Sequence, residues 1–144
     1  MKLFKNIKKW LENQEHLFYL FLLILIVPNI ILCFTEPMPV VAKVCNVLLP
    51  FAFYYLLMTL SRNCGKMFWI LFLFIFFGAF QIVLLYLFGQ SIIAVDMFLN
   101  LVTTNSSEAL ELLDNLIPAI VIVVLLYIPA LAVATVSVIK KREL

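Results

Sequence analysis

The chain has 144 residues, of which 66% are hydrophobic and only 12% carry a charged side chain, and its formal net charge is +2. A soluble domain of this length needs about a quarter of its residues charged to cover its surface. The composition therefore excludes a soluble globular protein, and we expect a membrane lipid rather than nucleic acid as a partner.

Long apolar runs without Asp, Glu, Lys or Arg dominate the chain. A helix needs roughly 20 apolar residues to cross about 30 Å of hydrocarbon. The runs lack the alternation of apolar and polar residues that is typical of a membrane β-barrel. We therefore predict an all-α integral membrane protein of one domain, residues 1–144, with four transmembrane helices. The predicted spans are about 17–35, 40–60, 67–89 and 116–139.

The segment 1–14 predicts a cytoplasmic helix that lies on the membrane surface. Leu3, Ile7 and Trp10 recur on one face of such a helix, whereas its four lysines take the other face. This profile is typical of an interfacial anchor attracted to anionic lipid. No small-residue cleavage site follows the first apolar run, which argues against a cleaved signal peptide.

Basic residues predict the orientation. Nine of the ten Lys and Arg residues fall on one side of the four-span arrangement, and only Lys43 falls on the other. Cytoplasmic loops are enriched in Lys and Arg. We therefore expect both termini in the cytoplasm, that is, N-in and C-in.

Few polar residues interrupt the predicted spans. Asn46 and Gln81 are candidates for hydrogen bonds between helices, and Asn29 is a candidate partner for a carbonyl that a neighbouring proline leaves free. We expect kinks near the three prolines inside spans, Pro28, Pro50 and Pro129. Cys33 and Cys45 lie near the outer ends of adjacent predicted spans. Two interpretations stay open for them, namely a disulfide bond between the two or packing as small apolar side chains.

The segment between the third and fourth spans predicts a helical hairpin on the outer side, with its helices within residues 91–114. Asp96, Asn100 and either Thr103 or Thr104 form a polar stripe on the first helix. A second short helix begins at Asn105, where Glu108 completes a capping box. Pro118 then suits the first turn of the fourth span. The polar face of this hairpin would lie at the depth of lipid headgroups.

One stretch of this segment resembles a known family. Residues 96–109 read D-M-F-L-N-L-V-T-T-N-S-S-E-A and contain the pattern N-x3-T-N-x2-E-A. The pattern is similar to the periplasmic helix segment of lipid A phosphoethanolamine transferases, which include the mobile colistin-resistance enzymes. The resemblance implies a bacterial inner-membrane protein that binds phosphatidylethanolamine as the donor for transfer to lipid A or a related glycan.

The resemblance also implies parts that these 144 residues do not contain. Family members have a fifth span and a periplasmic, phosphatase-like catalytic domain with zinc and a threonine nucleophile. We therefore expect an excised N-terminal domain or a fragment, with no catalytic residue, no metal site and no cofactor of its own, and inactive alone. Its expected protein partner is the missing C-terminal catalytic domain.

The donor headgroup site that the resemblance implies comprises Asn100, Thr104 and Glu108, with Asn105 and Asp96 as further candidates. Glu108 would pair with the ammonium, and Asn100 and Thr104 would donate hydrogen bonds to the phosphodiester. A structural interpretation stays open, in which Asn105 and Glu108 only cap a helix and the polar stripe faces water.

Two other functions stay open. One is the membrane domain of a sulfatase-like relative with another donor or acceptor. The other is an independent four-span structural or transport protein, although no row of charged residues marks an ion pathway through the spans.

Overall fold

The structure, a computed structural model, describes residues 2–88, 103 and 106–141, with side chains described for 6–7, 9–86, 103 and 117–141. Helix is the only regular structure in this part of the chain, which confirms the predicted all-α class. The helices are, in chain order, α1 (Lys2–Glu12), α2 (Gln14–Thr35), α3 (Val40–Thr59), α4 (Cys64–Ile70), α5 (Phe72–Phe88) and α6 (Ser106–Ile139).

Three stretches among the described residues are long and apolar enough to cross a membrane, namely α2, α3 and Ile117–Ile139 of α6. The helices α4 and α5 supply a fourth crossing if they form one broken span, since Cys64–Ile70 and Phe72–Tyr86 are bent by 63° relative to each other. The described helices therefore supply three candidate spans, or four with the bent pair, which matches the predicted number.

The bend between α4 and α5 lies at Leu71 and not at a proline. Leu71 is buried, and it still donates its amide to the carbonyl of Met67, so the chain turns without leaving this group unbonded. The prolines inside the other candidate spans are accommodated within continuous helices. Pro28 lies inside α2, Pro50 inside α3, and Pro129 inside α6.

The helix α2 is the centre of the bundle. It packs against α1, α3, α4, α5 and α6, and its side chains Leu17, Phe21 and Leu22 are almost fully buried. Phe21 stacks on Phe68 of α4 with ring centroids 4.4 Å apart. In contrast, α3 lies at the edge, where Met58 is its one buried residue. An apolar outer face of this kind suits contact with lipid.

Both ends of the described chain lie at the same end of the bundle. Gln14, the first residue of α2, is hydrogen-bonded to Ser137 near the end of α6. Asn63, the N-cap of α4, donates its side-chain amide to the Ser137 carbonyl at 3.3 Å. This up-and-down order is the one that the four-span prediction requires, and the assignment of this end to the cytoplasm stays a prediction.

The N-terminal helix α1 is a separate element, as predicted. It ends before Asn13, whose side chain caps α2 by accepting a hydrogen bond from the Glu15 amide at 3.0 Å. Ile7 and Trp10 of α1 remain nearly half exposed, and the Trp10 ring stacks on His16 with centroids 5.0 Å apart. An exposed apolar face is what the predicted surface anchor needs.

The fourth candidate span differs from the prediction at its N-terminal end. A short helix that ends near residue 114 was expected before the span, whereas α6 runs without a break from Ser106 to Ile139. Pro118 lies inside this helix, where its missing N–H leaves the carbonyl of Asp114 without its helical partner. Near a membrane surface water can bond such a carbonyl, so the helix continues.

Candidate functional site

The predicted headgroup site lies mostly outside the described residues. Asp96, Asn100, Thr104 and Asn105 belong to the part of the chain that is not described, and so does the first helix of the expected hairpin. Glu108 is the third residue of α6, where the backbone is described and the side chain is not. The headgroup site therefore stays a prediction.

The N-terminal end of α6 extends well beyond the candidate span. Residues 106–116 precede Ile117–Ile139 as part of the same helix, and a rise of about 1.5 Å per residue gives this extension a length of about 16 Å. Its sequence contains Glu108, Glu111 and Asp114 but no Lys or Arg. The opposite end of the same helix is followed by Lys140 and Lys141, so the helix has one acidic and one basic end.

Two asparagines join α2 to α3 in the half of the bundle away from Gln14 and Ser137. The side-chain amide of Asn29 donates to Asn46 Oδ1 at 3.1 Å, and Asn46 Nδ2 donates to the Asn29 carbonyl at 2.9 Å. The prediction that Asn46 bonds between helices is therefore confirmed. Asn29 bonds to Asn46 rather than to a carbonyl freed by Pro28.

Cys33 and Cys45 are not bonded to each other. Both are free thiols. The Cys33 thiol donates to the Lys43 carbonyl at 3.5 Å, and Asn46 Nδ2 approaches Cys33 Sγ to 3.4 Å. Cys33 therefore extends the polar contact between α2 and α3, and Cys45 is exposed on α3.

A cavity of about 210 Å³ lies beside the asparagine pair, between α2, α3, α5 and α6. Four of its lining residues carry polar groups, Asn29, Tyr54, Gln81 and Tyr127, and the rest are apolar. The predicted interhelical role of Gln81 has no counterpart among the described residues, where its side chain makes no hydrogen bond. The apolar lining residues are Leu25, Pro28, Pro50, Phe74, Ile75, Phe77 and Gly78.

Tyr127 is the exceptional residue of this cavity. Its side chain is only 4% exposed, and its hydroxyl has no hydrogen-bond partner within the described part of the chain. Transfer of a hydroxyl from water to an apolar medium without a compensating bond costs about 2–7 kcal/mol. Gly78 makes room for this hydroxyl, because a Cβ there would lie 3.3 Å from it.

Sequence reasoning missed Tyr127 because a single tyrosine in a long apolar run has no pattern that separates a binding group from a packing group. The sequence feature that could have identified it is that Tyr127 is the only tyrosine between Ile117 and Ile139. A hydroxyl placed among some 20 apolar residues needs a partner that the helix itself does not supply.

The described residues offer no set of ligands for a metal ion. They contain no group of three or more His, Cys, Asp or Glu side chains that could hold a metal ion. The zinc that the resemblance implies would belong to a separate catalytic domain, and both stay expectations.

Neither a protein-family model nor a curated protein nor a solved structure matches the chain. The resemblance to phosphoethanolamine transferases therefore depends on the residues 96–109 and on the order of the predicted spans.

Proposed function

We propose that this chain is the membrane domain of a phosphoethanolamine transferase of the bacterial inner membrane. In this role it anchors the enzyme and helps to bind phosphatidylethanolamine, the donor for transfer to lipid A or a related glycan. The observation that carries the proposal is the course of α6. The last residues of the pattern N-x3-T-N-x2-E-A lie in this helix, which continues without a break into a candidate membrane span.

The position of Glu108 along α6 determines how far a donor headgroup would have to rise to meet it. Glu108 lies nine residues before Ile117, which corresponds to about 14 Å along the helix axis. The headgroup layer adds about 5–8 Å to each side of the hydrocarbon core. Asp114 therefore falls within this layer, and Glu108 lies beyond its outer edge, so Glu108 contacts the ammonium only of a donor headgroup that is raised from the layer toward a separate catalytic domain.

The charge of this extension also suits the donor. A phosphatidylethanolamine headgroup presents a primary ammonium, which carboxylates bind by charge-assisted hydrogen bonds. The extension carries three acidic residues and no basic residue to compete for them. Asn100 and Thr104, with Asn105 nearby in sequence, add neutral hydrogen-bond donors for the phosphodiester, and Asp96 adds a further carboxylate for the ammonium.

The decisive variant is Glu108→Gln, which keeps the size of the side chain and removes its charge. A hydrogen bond to a charged group contributes about 1.5–3 kcal/mol, so affinity for phosphatidylethanolamine should fall about ten-fold or more. Lipid titration of the purified chain by native mass spectrometry gives the comparison. Glu15→Gln is the matched control, because it removes one carboxylate at the opposite end of the bundle.

Three results would count against the proposal. Equal binding by the parent and Glu108→Gln would leave Glu108 as a helix cap and nothing more. A reading frame that continues beyond codon 144 without a further span and a phosphatase-like domain would favour an independent structural or transport protein. A downstream domain with sulfatase-type specificity would favour a relative with another donor or acceptor.

A further inference from the structure

The polar groups around the cavity of Tyr127 are all neutral. Its described lining contains no Asp, Glu, Lys, Arg or His, and its polar groups are hydroxyls and carboxamides. A charged ligand in this lining would be buried without an opposite charge, which is strongly unfavourable in a low-dielectric site. The cavity therefore selects a neutral ligand.

The depth of Tyr127 in the candidate span further restricts which neutral ligands can reach its hydroxyl. Tyr127 lies ten residues from Ile117 and ten residues from Ser137, which corresponds to about 15 Å from each. This is the middle of the candidate span. Phospholipid headgroups lie outside the hydrocarbon core, about 15 Å from its centre, so their oxygens do not reach this hydroxyl. A ligand that accepts a hydrogen bond from Tyr127 must therefore carry its acceptor atom inside the hydrocarbon layer.

The size and walls of the cavity indicate a ring. A volume of about 210 Å³ is far larger than the roughly 10–15 Å³ at which a cavity first holds one water molecule. Tyr54, Phe74, Phe77 and Tyr127 contribute aromatic rings to the walls. Aromatic side chains pack well against another planar, unsaturated ring.

A ligand dissolved in the bilayer would enter between α3 and α5, where side-chain rings line the boundary of the two helices. The helix α3 packs along α2, whereas α5 packs along α2 and α6. Ring contacts join α3 to α5, in which Phe53 and Tyr54 approach Phe74 with centroids 5.8 and 6.0 Å apart. Phe74 and Phe77 are also about half exposed on the outer surface. Movement of a few side chains would therefore open the cavity toward lipid.

We propose that this cavity binds the ring of a lipid-soluble quinone, with the Tyr127 hydroxyl donating a hydrogen bond to a ring carbonyl. A prenylated quinone combines the required features, since it is neutral, planar and dissolved in the hydrocarbon layer, and it carries carbonyl acceptors. The inference concerns binding alone and is independent of the headgroup site at the outer end of α6.

Photoaffinity labelling of the chain in phospholipid nanodiscs tests the proposal, with an azido-quinone as the probe and decylubiquinone as the competitor. We expect saturable labelling of peptides that line the cavity. Tyr127→Phe should weaken competition by decylubiquinone about five- to ten-fold, the effect of one lost neutral hydrogen bond. Tyr86→Phe is the control, because Tyr86 is exposed on α5 and does not line the cavity.

Labelling that decylubiquinone does not displace, or that spreads over the lipid-facing surface, would overturn the proposal. Equal competition in Tyr127→Phe and the parent would overturn it as well. Thermal unfolding of each variant is followed in parallel. If Tyr127→Phe does not fold, Gly78→Ala replaces it, because Gly78 lines the cavity and its new methyl group would lie 3.3 Å from the Tyr127 hydroxyl, in the space beside it. Unchanged competition in Gly78→Ala would then contradict the proposal.

Discussion

Gln14 and Ser137 are 123 residues apart in the chain, yet their side chains are hydrogen-bonded to each other in the interior. Gln14 Nε2 donates to Ser137 Oγ at 3.3 Å, and the hydroxyl approaches Gln14 Oε1 to 3.5 Å. Both side chains are buried, at 8% and 1% exposure. The Cys64 thiol donates to the Gln14 carbonyl at 3.8 Å, so this contact joins α2, α4 and α6 at one level.

Ser137→Ala should destabilise the bundle. It leaves the Gln14 amide buried without its partner, which costs about 1–3 kcal/mol. We expect a lower midpoint of thermal unfolding in detergent. The double variant Gln14→Leu with Ser137→Ala removes both polar groups and should recover most of the loss, because no unpaired group remains. A double variant less stable than Ser137→Ala alone would show that the two groups act independently.

Gly65→Ala should also be destabilising, since this glycine allows α4 to lie directly on α6. A Cβ at Gly65 would collide with the backbone carbonyl of Ala134, which is part of a helix and has little freedom to move. Overpacking of this kind costs about 1–3 kcal/mol. Gly78→Ala is the matched control, because its new methyl group would meet only side-chain atoms, at 3.0 Å or more. Equal losses in the two variants would contradict the close approach of α4 to α6.

The sequence allowed prediction of those features that follow from hydropathy and charge. The spans and the contact of Asn46 belong here, because an amide in an apolar helix must find a partner. The bend at Leu71 was not predictable, because neither proline nor glycine marks it. Tyr127 was missed for a related reason, since its environment is assembled from four helices and no local pattern encodes it.

Asn46→Ala should weaken the packing of α3 on α2. The substitution removes both amide bonds to Asn29, and hydrogen bonds between membrane helices contribute about 0.6 kcal/mol on average and at most about 1.7. We expect a small decrease in thermal stability. Cys45→Ala, at the neighbouring and exposed position, should leave stability unchanged. A larger loss of stability in Cys45→Ala than in Asn46→Ala would indicate that the asparagine pair is not a stabilising contact.

Reporter fusions test the topology. A fusion after Leu144 should report the cytoplasm and one near Asn105 the opposite side, because nine of ten basic residues lie at the inner end in the four-span arrangement. A variant with fewer basic residues after the fourth span provides the control. Replacing Lys140 and Lys141 by neutral residues should not invert the chain while the N-terminal lysines remain, and two fusions on the same side would exclude four crossings.

Competition between phosphatidylethanolamine and phosphatidylcholine separates recognition of the ammonium from a general attraction of lipid. Phosphatidylcholine carries the same phosphodiester and charge as phosphatidylethanolamine, but its trimethylated nitrogen has no N–H to donate. If Glu108 accepts a hydrogen bond from the ammonium, the parent should bind phosphatidylethanolamine about ten-fold more tightly, since such a bond contributes about 1.5–3 kcal/mol. Glu108→Gln should lose this preference and bind the two lipids about equally. Native mass spectrometry with the two lipids in competition measures the ratio directly.

Asn100→Ala provides the complementary control in the same experiment. Asn100 is proposed to donate to the phosphodiester, which both lipids share, so its removal should weaken both about five-fold and leave their ratio unchanged, in keeping with a net contribution of about 1 kcal/mol per neutral hydrogen bond. Loss of the ratio in Asn100→Ala but not in Glu108→Gln would reverse the two proposed roles. A parent that binds both lipids equally would show that the acidic end of α6 does not recognise the ammonium.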